Sequence, residues 1–338
     1  MHFVSVIAPI YNERKFIVSF LDSIMEQDYP KDQMEVLLAD GMSDDGTRDI
    51  IAAYGESSLF HLIDNPDRAV SFGFNRAVRE SRGDVIVRMD AHCKYPKNYI
   101  SRLVEELFRL DAENTGGLIR TLPANNSSKC LAIAAAVTHP LGVGNSTFRI
   151  GATKIKEVDT VPFGCFRRSI FDRIGFLDEE LIRNQDDEFN GRIIKNGGRI
   201  FIIPDLVVDY TMRDSFQKMR KMYYQYGLYK PLVNKKLGHA ATVRQFFPSL
   251  FVLGIVIGGV LSCFVPWIKW IYLAVLALYC LMAFAVGVQY VFKRNKRWLM
   301  AVLMPWAILN LHLSYGVGYL QGIWNVVFGK KIKVNYNR

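Results

Sequence analysis

The sequence predicts an α/β domain on a mixed, mostly parallel sheet, followed by an amphipathic helix and a carboxyl-terminal set of membrane helices. Three observations predict it. Through residues 1–100, short β-branched runs alternate with stretches of helical spacing, the pattern of a sheet covered on both faces. Residues 215–229 repeat Phe216, Met219, Tyr223 and Tyr226 at three- and four-residue steps, an amphipathic helix suited to an anionic leaflet. From residue 246 to the end, long apolar runs carry nine Lys/Arg and no Asp or Glu.

The elements follow in order. Residues 3–8 read as a strand closed by Pro9, and 13–27 as a helix on Phe16, Phe20, Leu21 and Ile24. A second strand, 35–39, ends at Asp40-Gly41, and the turn Asp44-Asp45-Gly46 opens a helix over 47–54. A third strand at 59–63, a helix at 70–81 and a fourth strand at 84–89 complete the alternation. The expected division is a catalytic domain over 1–212, an interface helix and basic linker over 213–245, a membrane domain over 246–330 and a basic tail over 331–338. The membrane domain has apolar segments at 246–265, 270–292 and 299–328, each long enough to cross roughly 30 Å of hydrocarbon. The third holds Pro305, Asn310, His312 and several glycines, so two short helices in a re-entrant hairpin and a single span both remain open.

A net charge of +10 invites a nucleic-acid reading, but its distribution argues against one. Residues 1–209 carry 25 basic and 31 acidic side chains, so the body is mildly acidic and the excess positive charge flanks the apolar runs. The basic cluster at 293–297 biases its loop to the cytoplasm. No signal peptide is visible, which places the body in the cytoplasm and the chain in the inner membrane as a multi-pass protein. The five cysteines form no Cys-x-x-Cys pair and read as small buried hydrophobes.

The strand ends carry the chemistry. Acids recur there, at Glu13, Asp40, Asp44 and Asp90, and successive carboxyl ends of parallel strands converge on one crevice. Neither Gly-x-Gly-x-x-Gly nor Gly-x-x-x-x-Gly-Lys-Ser/Thr is present, so dinucleotide and P-loop enzymes are disfavoured. A nucleoside diphosphate held without a glycine cradle needs a cation, and Asp90 with His92, two apart on a strand end, can supply its ligands. The bland alternatives stand beside these readings. Asp40 can be a turn former, Tyr11 a half-buried structural residue, and Arg68 a solvated loop side chain rather than a diphosphate contact.

Taken together, these residues resemble family 2 glycosyltransferases of the GT-A fold over about residues 3–230. Pro9 to Glu13 matches the family's Pro-x-Tyr-Asn-Glu element, and Asp40 to Thr47 its Asp-x-x-Ser-x-Asp-Gly-Thr element, with Gly41 where a second acid is usual. Asp90-Ala91-His92 stands for the Asp-x-Asp metal motif. The resemblance implies donor contacts from Pro9, Tyr11, Glu13, Asp40, Ser43, Arg68 and Asp90. It also implies a divalent metal, Mn2+ or Mg2+, on Asp90 and His92. An imidazole in place of a carboxylate should soften selectivity toward Mn2+. Residues 184–192 match Glu-Asp-x-Asp/Glu-Leu-x-x-Arg with Gln185 for the Glu, which implies Asp186 as the base and Glu188 and Arg192 on the acceptor side. Asp187 competes for the base role, and three acids opening a helix are also plain complements to its dipole. The resemblance also implies Asp187, Gln217 and Arg220 on the acceptor side; processive relatives carry Gln-x-x-Arg-Trp where this chain has Gln217 and Arg220 followed by Lys221, which favours single addition.

Within the family the likeness is to bacterial succinoglycan-type exopolysaccharide glucosyltransferases, with their Arg-Met-Asp-Ala-His strand end, here residues 88–92, and carboxyl-terminal membrane segments. It implies a membrane-bound, inverting hexosyltransferase that uses a UDP-sugar, UDP-glucose first among them. The acceptor would be a polyprenyl-diphosphate-linked saccharide, and membrane lipids and other polysaccharide-assembly proteins would be partners. The rival from another class is a non-catalytic membrane scaffold with a degenerate GT-A fold, motivated by His92 and Gln185. A nucleotidyltransferase would share the fold type without needing three apolar segments.

Overall fold

The structure is a computed structural model that describes residues 2–54, 58–240, 242–295 and 297–332. Most of the expected basic tail, residues 333–338, lies outside the described residues, as does Lys296 of the basic cluster. In chain order the elements are β1 (Val4–Ile10), α1 (Ile17–Met25), β2 (Met34–Asp40), α2 (Thr47–Ala53), β3 (Phe60–Asp64), α3 (Val70–Glu80), β4 (Val85–Arg88), β5 (Cys93–Lys94), α4 (Tyr99–Arg109) and β6 (Asn114–Leu122). There follow α5 (Ser128–Ala136), α6 (Pro140–Val143), α7 (Thr147–Ile150), β7 (Lys156–Glu157), β8 (Cys165–Arg167), α8 (Ser169–Ile174), α9 (Gln185–Lys195) and β9 (Ile200–Thr211). The chain ends in α10 (Phe216–Leu237), α11 (Phe247–Phe264), α12 (Pro266–Tyr290) and α13 (Met300–Val327). Two compact units result, one from residues 2–120 and 151–210, the other from 121–150 and 211–332.

The first unit is a curled mixed sheet in the order β3-β2-β1-β4-β8-β6-β9-β5, with β7 beside β9. The alternation expected over residues 1–100 is present: β1 pairs in parallel with β2 and β4, and β2 with β3. Every residue of β1 and β2 is buried, as a sheet covered on both faces requires. Register decides what meets at the rim. Ile10 lies opposite Asp40, and Asp40 opposite Asp64, so three parallel strands end together with two carboxylates side by side. Beyond β4 the joins turn antiparallel, β8 against both β4 and β6. Below that edge Phe74, Phe166, Phe171 and Phe189 pack ring on ring, with centroids 5.2–6.5 Å apart. Burying each such ring contributes roughly 1.5–3 kcal/mol, which anchors α3, β8, α8 and α9 beneath the rim.

In the second unit three helices are long and apolar enough to cross a membrane, over Val243–Phe264, Pro266–Lys293 and Met300–Val327. The run at 299–328 is one helix, α13, with Pro305 inside it. Its glycines are contact points. A Cβ at Gly318 would lie 2.2 Å from the Tyr224 carbonyl oxygen of α10, and one at Gly322 would lie 2.4 Å from that of Leu228. From the other side, a Cβ at Gly227 of α10 would lie 2.1 Å from the Tyr315 carbonyl oxygen. Small residues bring the two backbones together, as in membrane helix pairs. The apolar stripe of α10, with Met219 and Tyr223 buried, therefore packs within a helical unit, while Lys218, Arg220 and Lys221 stay exposed. On the amino-terminal half of α13, Met300, Met304, Ala307 and Ile308 form a second seam with Ala132, Ala135 and Ala136 of α5.

Gly318→Val tests this packing. No rotamer relieves a Cβ placed against a backbone oxygen, so we expect a loss of about 1–3 kcal/mol, read as a lowered midpoint of thermal unfolding in detergent. A midpoint unchanged from wild type would mean that α10 and α13 do not pack this closely.

Candidate active site

The site grows from the loops that leave the parallel strands. After β1, Asn12 turns the chain at φ 55° and is laced to the loop after β2. Its backbone N–H donates to Ser43 Oγ at 2.8 Å, its Nδ2 donates to Asp44 at 3.0 Å, and the Asp44 N–H donates back to Asn12 Oδ1 at 3.1 Å. One residue on, the Glu13 N–H donates to Thr47 Oγ1 at 3.0 Å. Two motifs about 30 residues apart in the chain thus form one rigid wall. Gly41 belongs to it, because a Cβ there would press within 3.0 Å of the Tyr11 ring. The missing Cβ at Gly41 is therefore what leaves room for the Tyr11 side chain. Arg68, itself at φ 58°, sits over that ring with 5.6 Å from guanidinium carbon to centroid.

Asp40 has no exposed surface. Its carboxylate accepts from the Ser43 N–H at 3.0 Å, from the Ser43 hydroxyl and from Arg48 Nη1 at 2.8 Å. The other nitrogen of Arg48 reaches Asp64 at 2.8 Å. Asp40 thus organises the wall, and Arg48 neutralises its buried charge while reaching Asp64 at the surface. Pro9 is buried within β1 opposite Ala39 and shapes the same wall from beneath.

The second cluster starts at the end of β4. Arg88 is the last strand residue, and its side chain is 8% exposed. Its Nε donates to Asp90 Oδ1 at 3.2 Å, and its Nη1 makes a short ion pair with Asp186. Asp90 is fixed from behind, its N–H donating to the Tyr95 hydroxyl at 2.6 Å. His92 lies with Nδ1 3.7 Å from a Glu13 carboxylate oxygen and its ring edge toward Tyr210. Asp186 is in the first turn of α9, behind Asn184 in the left-handed region at φ 60°. Phe74, Val161, Phe163, Phe166, Leu177 and Phe189 line a small cavity behind Arg88 and Asp186, so the ion pair sits against an apolar back wall. Desolvation by the apolar wall behind it raises the Asp186 pKa above the ordinary carboxylate value, although part of the side chain faces solvent. The neighbouring Asp90 and Asp187 carboxylates push it the same way, and Arg88 opposes them.

Backbone strain marks the same place. Six non-glycine described residues have positive φ. Five of them, Asn12, Met42, Arg68, Phe163 and Asn184, belong to the loops just named or line that cavity. Such conformations persist where the surroundings over-determine them, as at ligand clamps.

The structure brings Tyr11, Asp40, Ser43 and Arg68 into one wall, joins Asp90 and Asp186 through Arg88, and sets His92 beside Glu13. The remaining acceptor-side residues sit differently. Glu188 and Arg192 form a two-point ion pair at 2.7 and 2.9 Å, and Arg192 also donates to the carbonyls of Ile174 and Phe176. That pair pins α9 to the end of α8. Asp187 is half-buried beside Asp186, and Gln217 and Arg220 are exposed on α10 of the second unit. Sequence reasoning missed Arg88, Arg48 and Asp64. Only Arg88 carried a signal, a lone charge closing a buried β-branched strand.

No group of three His, Cys, Asp or Glu side chains surrounds a common point among the described residues. Asp90 and His92 are the two side chains that could hold a cation here, and one bound to them would need further oxygens from a ligand. One carboxylate and one imidazole suit a borderline ion such as Mn2+ better than Mg2+.

Residues 5–175 match the family model described as glycosyl transferase family 2. The chain belongs to glycosyl transferase family 2. This glycosyltransferase is 30% identical over 322 residues to the succinoglycan biosynthesis protein ExoA of Rhizobium meliloti (strain 1021), an alignment covering 93% of each chain. It is also 30% identical over 272 residues to a dolichyl N-acetyl-alpha-D-glucosaminyl phosphate 3-beta-D-2,3-diacetamido-2,3-dideoxy-beta-D-glucuronosyltransferase of Methanococcus voltae, over 77% of this chain and 83% of that one. Among solved structures, the mannosyltransferase PcManGT from Pyrobaculum calidifontis, in complex with GDP-Man and Mn2+, superimposes with a TM-score of 0.61 at 20% identity. That match spans 96% of the glycosyltransferase and 88% of PcManGT, and it shows the GT-A-like fold. The transferase is thus a family 2 enzyme with a GT-A-like α/β unit and three candidate membrane helices.

Proposed function

We propose that this transferase moves a hexose, glucose from UDP-glucose by our reading, onto a polyprenyl-diphosphate-linked saccharide, with inversion at the anomeric carbon. The observation that carries the reading is the placement of Asp90 and Asp186 on one buried guanidinium. That shared contact sets the candidate donor-side ligand next to the candidate base, which supports the reading. The wall that Asp40 organises, with Tyr11, Ser43 and Arg68, would hold the nucleotide, with Arg68 turned to its charge. Asp186 would accept the proton of the acceptor hydroxyl as its oxygen attacks the anomeric carbon and the bond to the diphosphate breaks. A cation on Asp90 and His92 would neutralise the charge of the departing diphosphate. Asp187, one residue along the same turn, would face the acceptor, and Glu188 with Arg192 would keep that turn in place.

The acceptor class rests on two supports. Three apolar helices fit a protein that works at a membrane, and the Methanococcus voltae relative is named for a dolichyl-phosphate-linked acceptor. We place the catalytic unit at the cytoplasmic face of the inner membrane, where the cluster at 293–297 directs its loop. Single displacement makes a stereochemical prediction. An α-linked nucleotide sugar should yield a β-linked product, read from the anomeric coupling in a proton spectrum. An α-linked product would rule out Asp186 as base for a one-step attack.

A further inference from the structure

We propose that Arg88 is a positioning residue that couples the donor side of the site to the base. The inference rests on the reading of Asp186 given above and extends it to a residue to which the sequence motifs assign no role.

A charged side chain at the end of a buried strand needs a reason. Val85, Ile86 and Val87 before it are wholly buried, and a further β-branched residue would pack there without any desolvation cost. The two carboxylates that Arg88 reaches come from different parts of the chain, Asp90 two residues on and Asp186 at the start of α9. Both are less buried than Arg88, with side chains 18% and 43% exposed, so they line the open side while the guanidinium forms the floor. A planar fork can hold two carboxylates at fixed angles, which a lysine ammonium cannot do. Arg88 itself is fixed, since its backbone N–H donates to the Gly164 carbonyl at 2.9 Å and Phe163 and Phe166 flank the cavity beside it. Phe189 holds α9 in the aromatic core, so the backbone at Asp186 is set while its side chain still has rotamers to choose from. Arg88 makes that choice.

The coupling follows from sharing. A cation engaging Asp90 from the crevice would compete with Arg88 for the same oxygens. Whatever hold Asp90 gives up, Asp186 gains, so the base is fixed most firmly when the donor side is filled. A purely structural arginine would predict the reverse, with weaker cation binding once it is removed.

The test uses the full-length protein in lipid nanodiscs, with Arg88→Gln and Arg88→Lys compared with wild type. Two quantities are read: binding of UDP with Mn2+ by calorimetry, and sugar transfer at saturating donor. Arg88→Gln should bind UDP and Mn2+ as well as wild type or more tightly, while kcat falls roughly 10- to 100-fold. Arg88→Lys should restore only part of kcat. If Arg88→Gln does not fold, Arg88→Lys carries the same test, with binding kept and kcat reduced. Binding and transfer that fall together in either folded variant, or transfer that does not change, would overturn the coupling and leave the glycosyltransfer reading standing. A wild-type protein that neither binds UDP nor transfers any sugar would overturn both.

Discussion

Asp186→Asn should lower sugar transfer by about 10²- to 10⁴-fold, the range that a positioned general base supplies, with much smaller effects on UDP binding. The asparagine keeps the size and a carbonyl acceptor for Arg88 but cannot take a proton. The pH dependence gives an independent signature. Burial and the facing Asp90 and Asp187 raise the Asp186 pKa while Arg88 opposes the rise. The active form is the deprotonated one, so the rate is full above the folded-state pKa and is lost as pH falls through it. The acidic limb of kcat/KM should therefore lie above the ordinary carboxylate range. A limb within that range, or one that persists in Asp186→Asn, would assign the base elsewhere, with Asp187→Asn the next variant to measure.

The second large effect is expected at the candidate cation site. Asp90→Ala removes the carboxylate ligand and leaves Arg88 with Asp186 alone, so metal-dependent UDP binding and transfer should both fall by more than roughly 100-fold. His92→Asp is subtler. It restores an all-oxygen donor pair, and the ratio of rates with Mn2+ and Mg2+ should shift toward Mg2+. A ratio equal to that of wild type would show that His92 does not touch the ion and is instead held as the partner of Glu13, 3.7 Å away.

How much of this was legible in the sequence depends on what kind of signal each feature leaves. The parallel half of the sheet announced itself because β1 and β2 are buried on both faces and so read as unbroken apolar runs. The antiparallel half left little trace. Strands β5 and β7 have two residues each and β8 has three, too short for any periodicity to show, while β6 and β9, of nine and twelve residues, lie beyond the stretch 1–100 where regular alternation with helices marks the strands. The acids were found because they sit just past strand ends, where topology alone predicts convergence. Their partners were not. Arg48 lies eight residues beyond Asp40 and meets it only because α2 starts where it does, and Asp64 joins them through strand register.

In the second unit, composition pointed two ways. Glycines and a proline in the third apolar run read equally as helix breaks or as packing notches. Gly318 and Gly322 are notches, each opposite a backbone carbonyl of α10, and nothing in the run itself could have said so. The same holds for the stripe on α10. An amphipathic pattern states that a face is covered without naming the cover.

One measurement bears most directly on the central claim that this chain is an active, membrane-associated sugar transferase working through Asp186. Purified wild-type and Asp186→Asn proteins would be incubated with a panel of labelled nucleotide sugars, UDP-glucose first, with Mn2+ or Mg2+ and a bacterial membrane lipid extract. The account predicts that label enters the lipid fraction with wild type and at least one donor, and that Asp186→Asn abolishes it. No transfer from any donor, or transfer that Asp186→Asn leaves unchanged, would contradict it.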